Sequence, residues 1–289
     1  MATLNDFPPD AAGWRAFPAP AKLNLFLHIV GRRDDGYHLL QSVFQLIDLA
    51  DSIRLRWRDD GDIVRVDPLP GVPAESDLTV RAARLLQRET GCRFGVDIAV
   101  DKRLPMGGGV GGGSSDAATV LLALNRLWRL DLSRERLMQL GASLGADVPF
   151  FIFGETAFVE GIGERMTAVP SAAGYFVVLH PPVHVPTPEI FRDPCLTRDT
   201  PSLNMRDLNT ATTRNDLQAV AVRKHPVVGQ YIAWLGRFSP ARMTGSGSCV
   251  FAHFASQAGA DTVVSQLPRD MTGWVAKAAD RHPLKEFAG

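Results

Sequence analysis

Residues 105–116 read Pro-Met-Gly-Gly-Gly-Val-Gly-Gly-Gly-Ser-Ser-Asp, with six glycines in seven positions before two serines. Glycine has no Cβ, so its backbone takes positive φ readily and brings N–H groups close to a ligand. A helix predicted to begin at Ser114 or Ser115 adds unpaired N–H donors and the positive end of its dipole. Pro105, Met106, Gly107, Gly108, Gly109, Val110, Gly111, Gly112, Gly113, Ser114 and Ser115 are therefore expected to cradle phosphate. No Gly-Lys-Ser/Thr closes the pattern, which excludes a Walker loop. Asp-Phe-Gly and His-Arg-Asp are absent, which excludes the protein-kinase set.

Other positions carry chemistry of their own. Residues 21–30 alternate with period two, and Leu23, Leu25, Leu27 and Ile29 are expected to face a core. Lys22, Asn24, Phe26 and His28 then share the opposite face, which sets an ammonium, an amide and an imidazole in a row. His28 reads better as a structural histidine than as a catalytic one. Asp147 follows Gly-Ala and precedes Val-Pro at a predicted helix start, where an aspartate serves either as an N-cap or as a positioned carboxylate. Thr244-Gly-Ser-Gly-Ser248 is a second glycine loop, read either as a hairpin turn or as part of the same site.

These groups need elements to hold them. Strands are predicted at 21–30, 52–58, 62–67, 94–100 and 175–179. Helices are predicted at 76–90, after the glycine loop through Trp128, from Ser133 through Leu144, near 215–224 and near 226–236. Texture changes near residue 160, where proline-rich stretches begin. Two domains are expected, 1–160 and 161–289, with residues 1–17 a mobile tail.

Bulk properties narrow the class. The chain has 289 residues, 45% hydrophobic, and a formal net charge of +0. That balance, with no basic run, argues against nucleic acid or an anionic membrane as partner. The three cysteines form no Cys-x-x-Cys pair, which fits a reducing, cytoplasmic setting. The N-terminus lacks a basic start and apolar stretch, and no run approaches the ~20 apolar residues that span a bilayer.

Three motifs together resemble the small-molecule kinase superfamily named for galactose, homoserine, mevalonate and phosphomevalonate kinases. They are Pro20-Ala-Lys-Leu-Asn-Leu25, the loop at 105–115 and Thr244–Ser248, in the superfamily's order. Gly31-Arg-Arg-Asp-Asp-Gly-Tyr-His38 and Gly145-Ala-Asp-Val-Pro-Phe-Phe151 resemble the branch that acts on a cytidine diphosphate alcohol. The resemblance implies an α/β fold of α+β type, with an N-terminal phosphate-loop (ATP-binding) domain, a C-terminal ferredoxin-like (substrate-binding) domain and a cleft between them. It implies ATP as phosphoryl donor, with Mg²⁺ whose protein ligands the sequence does not identify. By the same resemblance Asp147 is the general base and Lys22 its partner. Tyr37 and Phe191 stack on cytosine, His38 hydrogen-bonds its edge, and Asn24, Lys102 and Thr187 hold the rest of the substrate. The competing readings are a homoserine- or mevalonate-type kinase and a nonenzymatic nucleotide-binding protein. Retention of both Lys22 and Asp147 weighs against the latter.

Overall fold

In the computed structural model, which describes residues 2–69, 71–208 and 213–288, β1 (Arg15–Arg32) and β2 (His38–Arg58) are long antiparallel strands. Both exceed the predicted lengths, because nearly all residues from 17 to 29 and from 41 to 47 are buried. A strand covered on both faces shows no polar–apolar alternation at its ends. The predicted 62–67 strand shrinks to β3 (Ile63–Arg65).

Helix α1 (Leu78–Thr90) opens on Asp77, whose side chain accepts from Thr79 N–H, and ends on Gly91 at φ +65°. β4 (Gly95–Asp101) pairs with β2 and leads through Lys102 into the glycine loop. Helix α2 (Gly112–Leu127) begins two residues before Ser114. α3 (Arg134–Ala142) is capped by Ser133, and α4 (Val148–Phe153) starts directly after Asp147. The first core lies between the β1–β2–β4 surface and α1–α4, with Phe17, Ile53, Leu86, Leu121 and Phe151 fully buried.

β5 (Ala157–Gly161) and β6 (Arg165–Ala168) still belong to the first sheet, β5 pairing with β2. The texture change expected near 160 thus falls inside a strand. The second half runs β7 (Tyr175–His180), α5 (Thr187–Arg192), α6 (Gln218–Lys224), α7 (Pro226–Leu235), β8 (Ala241–Met243), β9 (Val250–Phe254), α8 (Gln257–Val264) and β10 (Thr272–Ala279). Its strand order, β10-β7-β9-β8, with helices between β7 and β8 and between β9 and β10, is the split βαβ arrangement of a ferredoxin-like sheet. β10 also pairs with β2 at Ala278–Ile47, which fuses the two sheets. Among the described residues no helix is long and apolar enough to cross a membrane.

Two expectations need correction. Alternation along β1 slips between Asn24 and Leu27, where the register with β2 shifts. Phe26 therefore leaves the Lys22 face for a cluster with Val43 and Phe158. His28 accepts a hydrogen bond from Arg214 N–H at 3.3 Å, a structural role. The N-terminal residues are not a mobile tail. The Phe7 ring lies 5.2 Å from Phe17 and 5.7 Å from Phe287, and Arg15 donates to the Leu4 and Phe7 carbonyls. Ala2, Leu4 and Phe7, apolar side chains in a polar segment, pack against the first core.

Replacing Phe7 with Ala is expected to remove about 1–2 kcal/mol of apolar burial. Thermal unfolding should then shift down by roughly 2–4 °C per kcal/mol, with turnover unaffected. An unchanged melting temperature would mean that the extension adds nothing to the fold.

Candidate active site

The site is a cleft of ≈ 660 Å³ that the first half lines with Lys22, Asn24, Phe44, the glycine loop and Asp147. The second half adds His184, Thr187, Phe191 and Gly245–Gly247. The floor is the glycine loop. Gly107, Gly109 and Gly111 have φ of +69°, +76° and +76°, so the chain turns three times where a side chain would be strained. A Cβ on Gly109 would stand 2.5 Å from the Thr244 carbonyl oxygen, and one on Gly107 2.5 Å from His184 Nδ1. The second glycine loop is thus pressed against the first. Cys249 N–H donates to Gly108 O at 3.0 Å, and the Thr244 hydroxyl accepts from Asn24 N–H at 2.9 Å. Burial pushes the Cys249 thiol up to about 12, so beneath the loop it acts as a small apolar filler. α2 points its free N-terminal N–H groups into the same space.

Lys22 N–H donates to Val110 O at 3.0 Å, which fixes β1 to the loop. Gly111 leaves room for the Lys22 stem and the Phe151 ring, since a Cβ there would stand 3.2 Å and 2.8 Å from them. The Lys22 ammonium is only 3% exposed as a residue, and a buried charge is costly unless paired. Its Nζ donates to Asn24 Oδ1 at 2.5 Å, lies 3.3 Å from Asp147 Oδ2 and sits 4.3 Å from the Phe44 ring centroid. Asn24 is held in turn by Ser42 Oγ at 3.0 Å. Asp147 occupies the N-cap position of α4 but caps nothing, and its side chain is 34% exposed to the cleft. Of the two readings of Asp147, the positioned carboxylate is the one its geometry fits.

Other expected residues divide. Ser114 lines the cleft, whereas Ser115 is buried and donates to Pro20 O at 2.7 Å, so only Ser114 has a hydroxyl free for a ligand. Lys102 borders the cleft, but its ammonium is held by Asp51 Oδ2 at 2.5 Å and Asp116 Oδ2 at 2.9 Å. Burial pulls the Lys102 ammonium down, yet Asp116 and Asp51 outweigh it and hold it above the ordinary lysine range. It braces β2 and α2 against the end of β4. Thr187 and Ser246 share a hydrogen bond of 2.6 Å across the mouth. The His38 and Phe191 rings lie 5.1 Å apart, while Tyr37, 63% exposed, makes no ring contact with Phe191.

Some lining residues carried no sequence signal. His184 reaches the cleft only because the two halves close on each other, whereas Ser246 comes with the second glycine loop that the sequence had marked. Leu69, Val72 and Leu78 form an apolar end to the cleft beside Met106. Asp116, next to the serines, pairs with Lys102 from 14 residues away and Asp51 with it from 51 away, separations that no local pattern reveals.

Comparison with known proteins bears on the same segments. The family described as GHMP kinases N terminal domain matches residues 77–155, and that described as GHMP kinases C terminal matches 201–273. The chain is 60% identical over 273 residues to a 4-diphosphocytidyl-2-C-methyl-D-erythritol kinase of Thiobacillus denitrificans, covering 94% of this chain and 98% of that protein. It is 60% identical over 280 residues to the protein of that name from Ralstonia nicotianae, covering 95% and 97%. A crystal structure of a 4-(cytidine 5'-diphospho)-2C-methyl-D-erythritol kinase superposes with TM-score 0.81 at 32% identity, covering 91% of this chain and 99% of that one. A mevalonate kinase structure gives TM-score 0.66 at 12% identity over 92% and 99%, a likeness of fold alone.

Gly109→Ala should weaken ATP binding and cost ~1–3 kcal/mol of stability, because its Cβ meets backbone that cannot turn aside. Gly113→Ala is the control: φ is not positive there, and the nearest atom to a Cβ is Leu78 Cδ1 at 3.5 Å. Melting temperatures and ATP titrations compare the two. Equal effects would mean that the contact between the loops is not the constraint.

Proposed function

This chain belongs to the GHMP kinase family, among the 4-diphosphocytidyl-2-C-methyl-D-erythritol kinases, and on that footing we propose that it transfers the γ-phosphoryl group of ATP to the 2-hydroxyl of 4-diphosphocytidyl-2-C-methyl-D-erythritol, a step in isoprenoid precursor synthesis. The observation that carries the reading is the Lys22–Asp147 pair at 3.3 Å, facing the cleft that the glycine loop lines. A protein that only senses nucleotide has use for the loop but none for this pair.

Phosphoryl transfer needs positioning and charge neutralisation more than covalent help. Backbone N–H groups of 107–115 hold the triphosphate, with the α2 N-terminus behind them. Asp147 accepts the proton of the 2-hydroxyl while that oxygen forms its bond to the γ-phosphorus. The bond from phosphorus to the β–γ bridging oxygen breaks, and ADP leaves. Lys22 stabilises the negative charge that grows on the attacking oxygen. Asn24 keeps the Lys22 ammonium aimed, and Thr187 meets the substrate's polar stem. Phe191 and Tyr37 take the two faces of cytosine, with His38 at its edge.

Among the described residues no three His, Cys, Asp or Glu side chains come together as metal ligands. A lone hydroxyl at a phosphate cradle suits Mg²⁺, which keeps several waters and takes phosphate oxygens. Ser114, phosphate oxygens and water would hold it, and it would neutralise phosphate charge. In this reading the glycine-loop half carries the nucleotide, Thr187 and Phe191 of the second half join Asn24, Tyr37 and His38 on the alcohol substrate, and the enzyme works in the cytoplasm.

Asp147→Asn should lower turnover by about 10²–10⁴-fold, the scale of a positioned general base, with ATP affinity retained. ADP release with Mg·ATP should depend on the cytidine diphosphate alcohol and not on homoserine or mevalonate. Turnover of those alcohols instead would keep the mechanism and discard the substrate. Near-normal turnover by Asp147→Asn would discard the base.

A further inference from the structure

Behind Phe191, which lines the cleft, Arg198 makes four hydrogen bonds, and one of them goes to a histidine ring nitrogen. Its Nη1 donates to Leu196 O at 3.1 Å, and its Nη2 donates to Phe191 O at 3.1 Å and Asp193 O at 2.7 Å. Its Nε donates to His38 Nε2 at 3.1 Å. A guanidinium is donor only and stays charged at every accessible pH. His38 Nε2 must therefore supply a lone pair, and in a neutral imidazole the hydrogen then resides on Nδ1. Among the described residues the Arg198 bond is the one hydrogen bond the His38 ring makes.

We propose that Arg198 is a positioning residue that locks His38 in the Nδ1–H tautomer, so that the ring offers one N–H donor and no acceptor to the pyrimidine. This rests on the cytidine substrate of the preceding section. Cytosine carries an acceptor at N3, which such a donor satisfies. Uracil carries hydrogen at N3, so the same donor meets a donor, and a site built for one pattern rejects the other. Arg198 also ties the end of α5 to β2 through the Phe191 carbonyl, so the stacking ring and the edge-reading ring, 5.1 Å apart, move as one unit.

The surroundings keep the ring uncharged. Burial lowers the His38 imidazole below its ordinary range, and Arg198 and then Arg32, its partner across the β1–β2 register, lower it further. From α5 the ring meets the uncharged Phe191 side chain. α5 itself carries Glu189, which is exposed and is not among the charges that shift the ring, and Asp193, the residue after α5, is taken by Arg223 at 2.5 Å and Lys224 at 3.5 Å.

The test begins with the wild-type protein. Long-range ¹H–¹⁵N correlation on histidine-labelled enzyme at neutral pH, with the ring assigned by loss of its signals in His38→Gln, should show hydrogen on Nδ1 and a bare Nε2. A ring protonated at Nε2, or on both nitrogens, overturns the proposal, and this measurement needs no variant at Arg198. In Arg198→Ala the competent tautomer is only partly populated, so KM for the cytidine diphosphate alcohol should rise roughly fivefold near pH 8. kcat and KM for ATP should stay as they are. Lowering the pH toward about 6 should bring that KM back down, because a protonated imidazole carries Nδ1–H without help. Wild-type KM should stay flat over the same range. A rise in KM that is equal at every pH would reduce Arg198 to a clamp on α5 and overturn the tautomer role. Cytidine diphosphate should compete better than uridine diphosphate in wild type, and the ratio should narrow in the variant. If wild-type enzyme does not turn over the cytidine substrate at all, the functional reading falls while the resonance measurement still decides the tautomer.

Discussion

A Cβ on Gly109 would stand 2.5 Å from the carbonyl oxygen of Thr244, and one on Gly245 would stand 2.8 Å from the carbonyl oxygen of Gly109. Each loop thus occupies the volume that the other's side chain would need. That mutual exclusion sets how closely the two halves, already joined through β2 and β10, approach across the cleft. It also explains why the glycines outnumber what phosphate alone requires. Gly109 makes room for the second loop, Gly111 for Lys22 and Phe151, and Gly107 for His184. Backbone N–H groups are left facing the remaining space of the cleft, where no side chain has room.

Two lysines border this cleft and are handled in opposite ways. Lys102 is closed between two carboxylates, Asp51 and Asp116, both buried. Such a cluster holds β2 and α2 against the end of β4. Lys22 has one carboxylate at 3.3 Å, a neutral amide and an aromatic face. An ammonium under-compensated in this way retains capacity for another negative charge. Partner count, rather than burial, separates the two lysines.

Much of this was legible in the sequence, and the failures have local causes. The glycine loop, Lys22, Asp147 and the second glycine loop were found because each breaks a local expectation: too many glycines, a lysine in an apolar strand, an aspartate before Val-Pro. The partner of Lys102 went unseen because Asp51 lies 51 residues away in sequence, and only the β2–β4 pairing brings it near. Phe26 was placed on the wrong face because a register shift leaves no mark on composition. Ser114 and Ser115 look equivalent in sequence, yet a helix turns neighbours by about 100°, so one meets the cleft and the other Pro20 O. The N-terminal residues read as a tail because three apolar side chains are too few to register against polar neighbours, although Phe17 and Phe287 give Phe7 a place to dock.

The two ends of the cleft obey different rules. The glycine-loop end is built of backbone, which every residue has; a mevalonate kinase at 12% identity shares the architecture at TM-score 0.66, a likeness of fold alone. A base edge is read by donors and acceptors that side chains alone supply, and a neutral histidine can present either kind. Reading with histidine is dependable only when a second group fixes which nitrogen bears hydrogen. The irregular stretch after α5 provides that group in Arg198, and the Phe191 carbonyl at the end of α5 together with the Asp193 and Leu196 carbonyls beyond it are the acceptors that hold the guanidinium still. Carbonyls at a helix end and an arginine that needs acceptors thus complete each other, and the by-product is a histidine with one face of its chemistry decided.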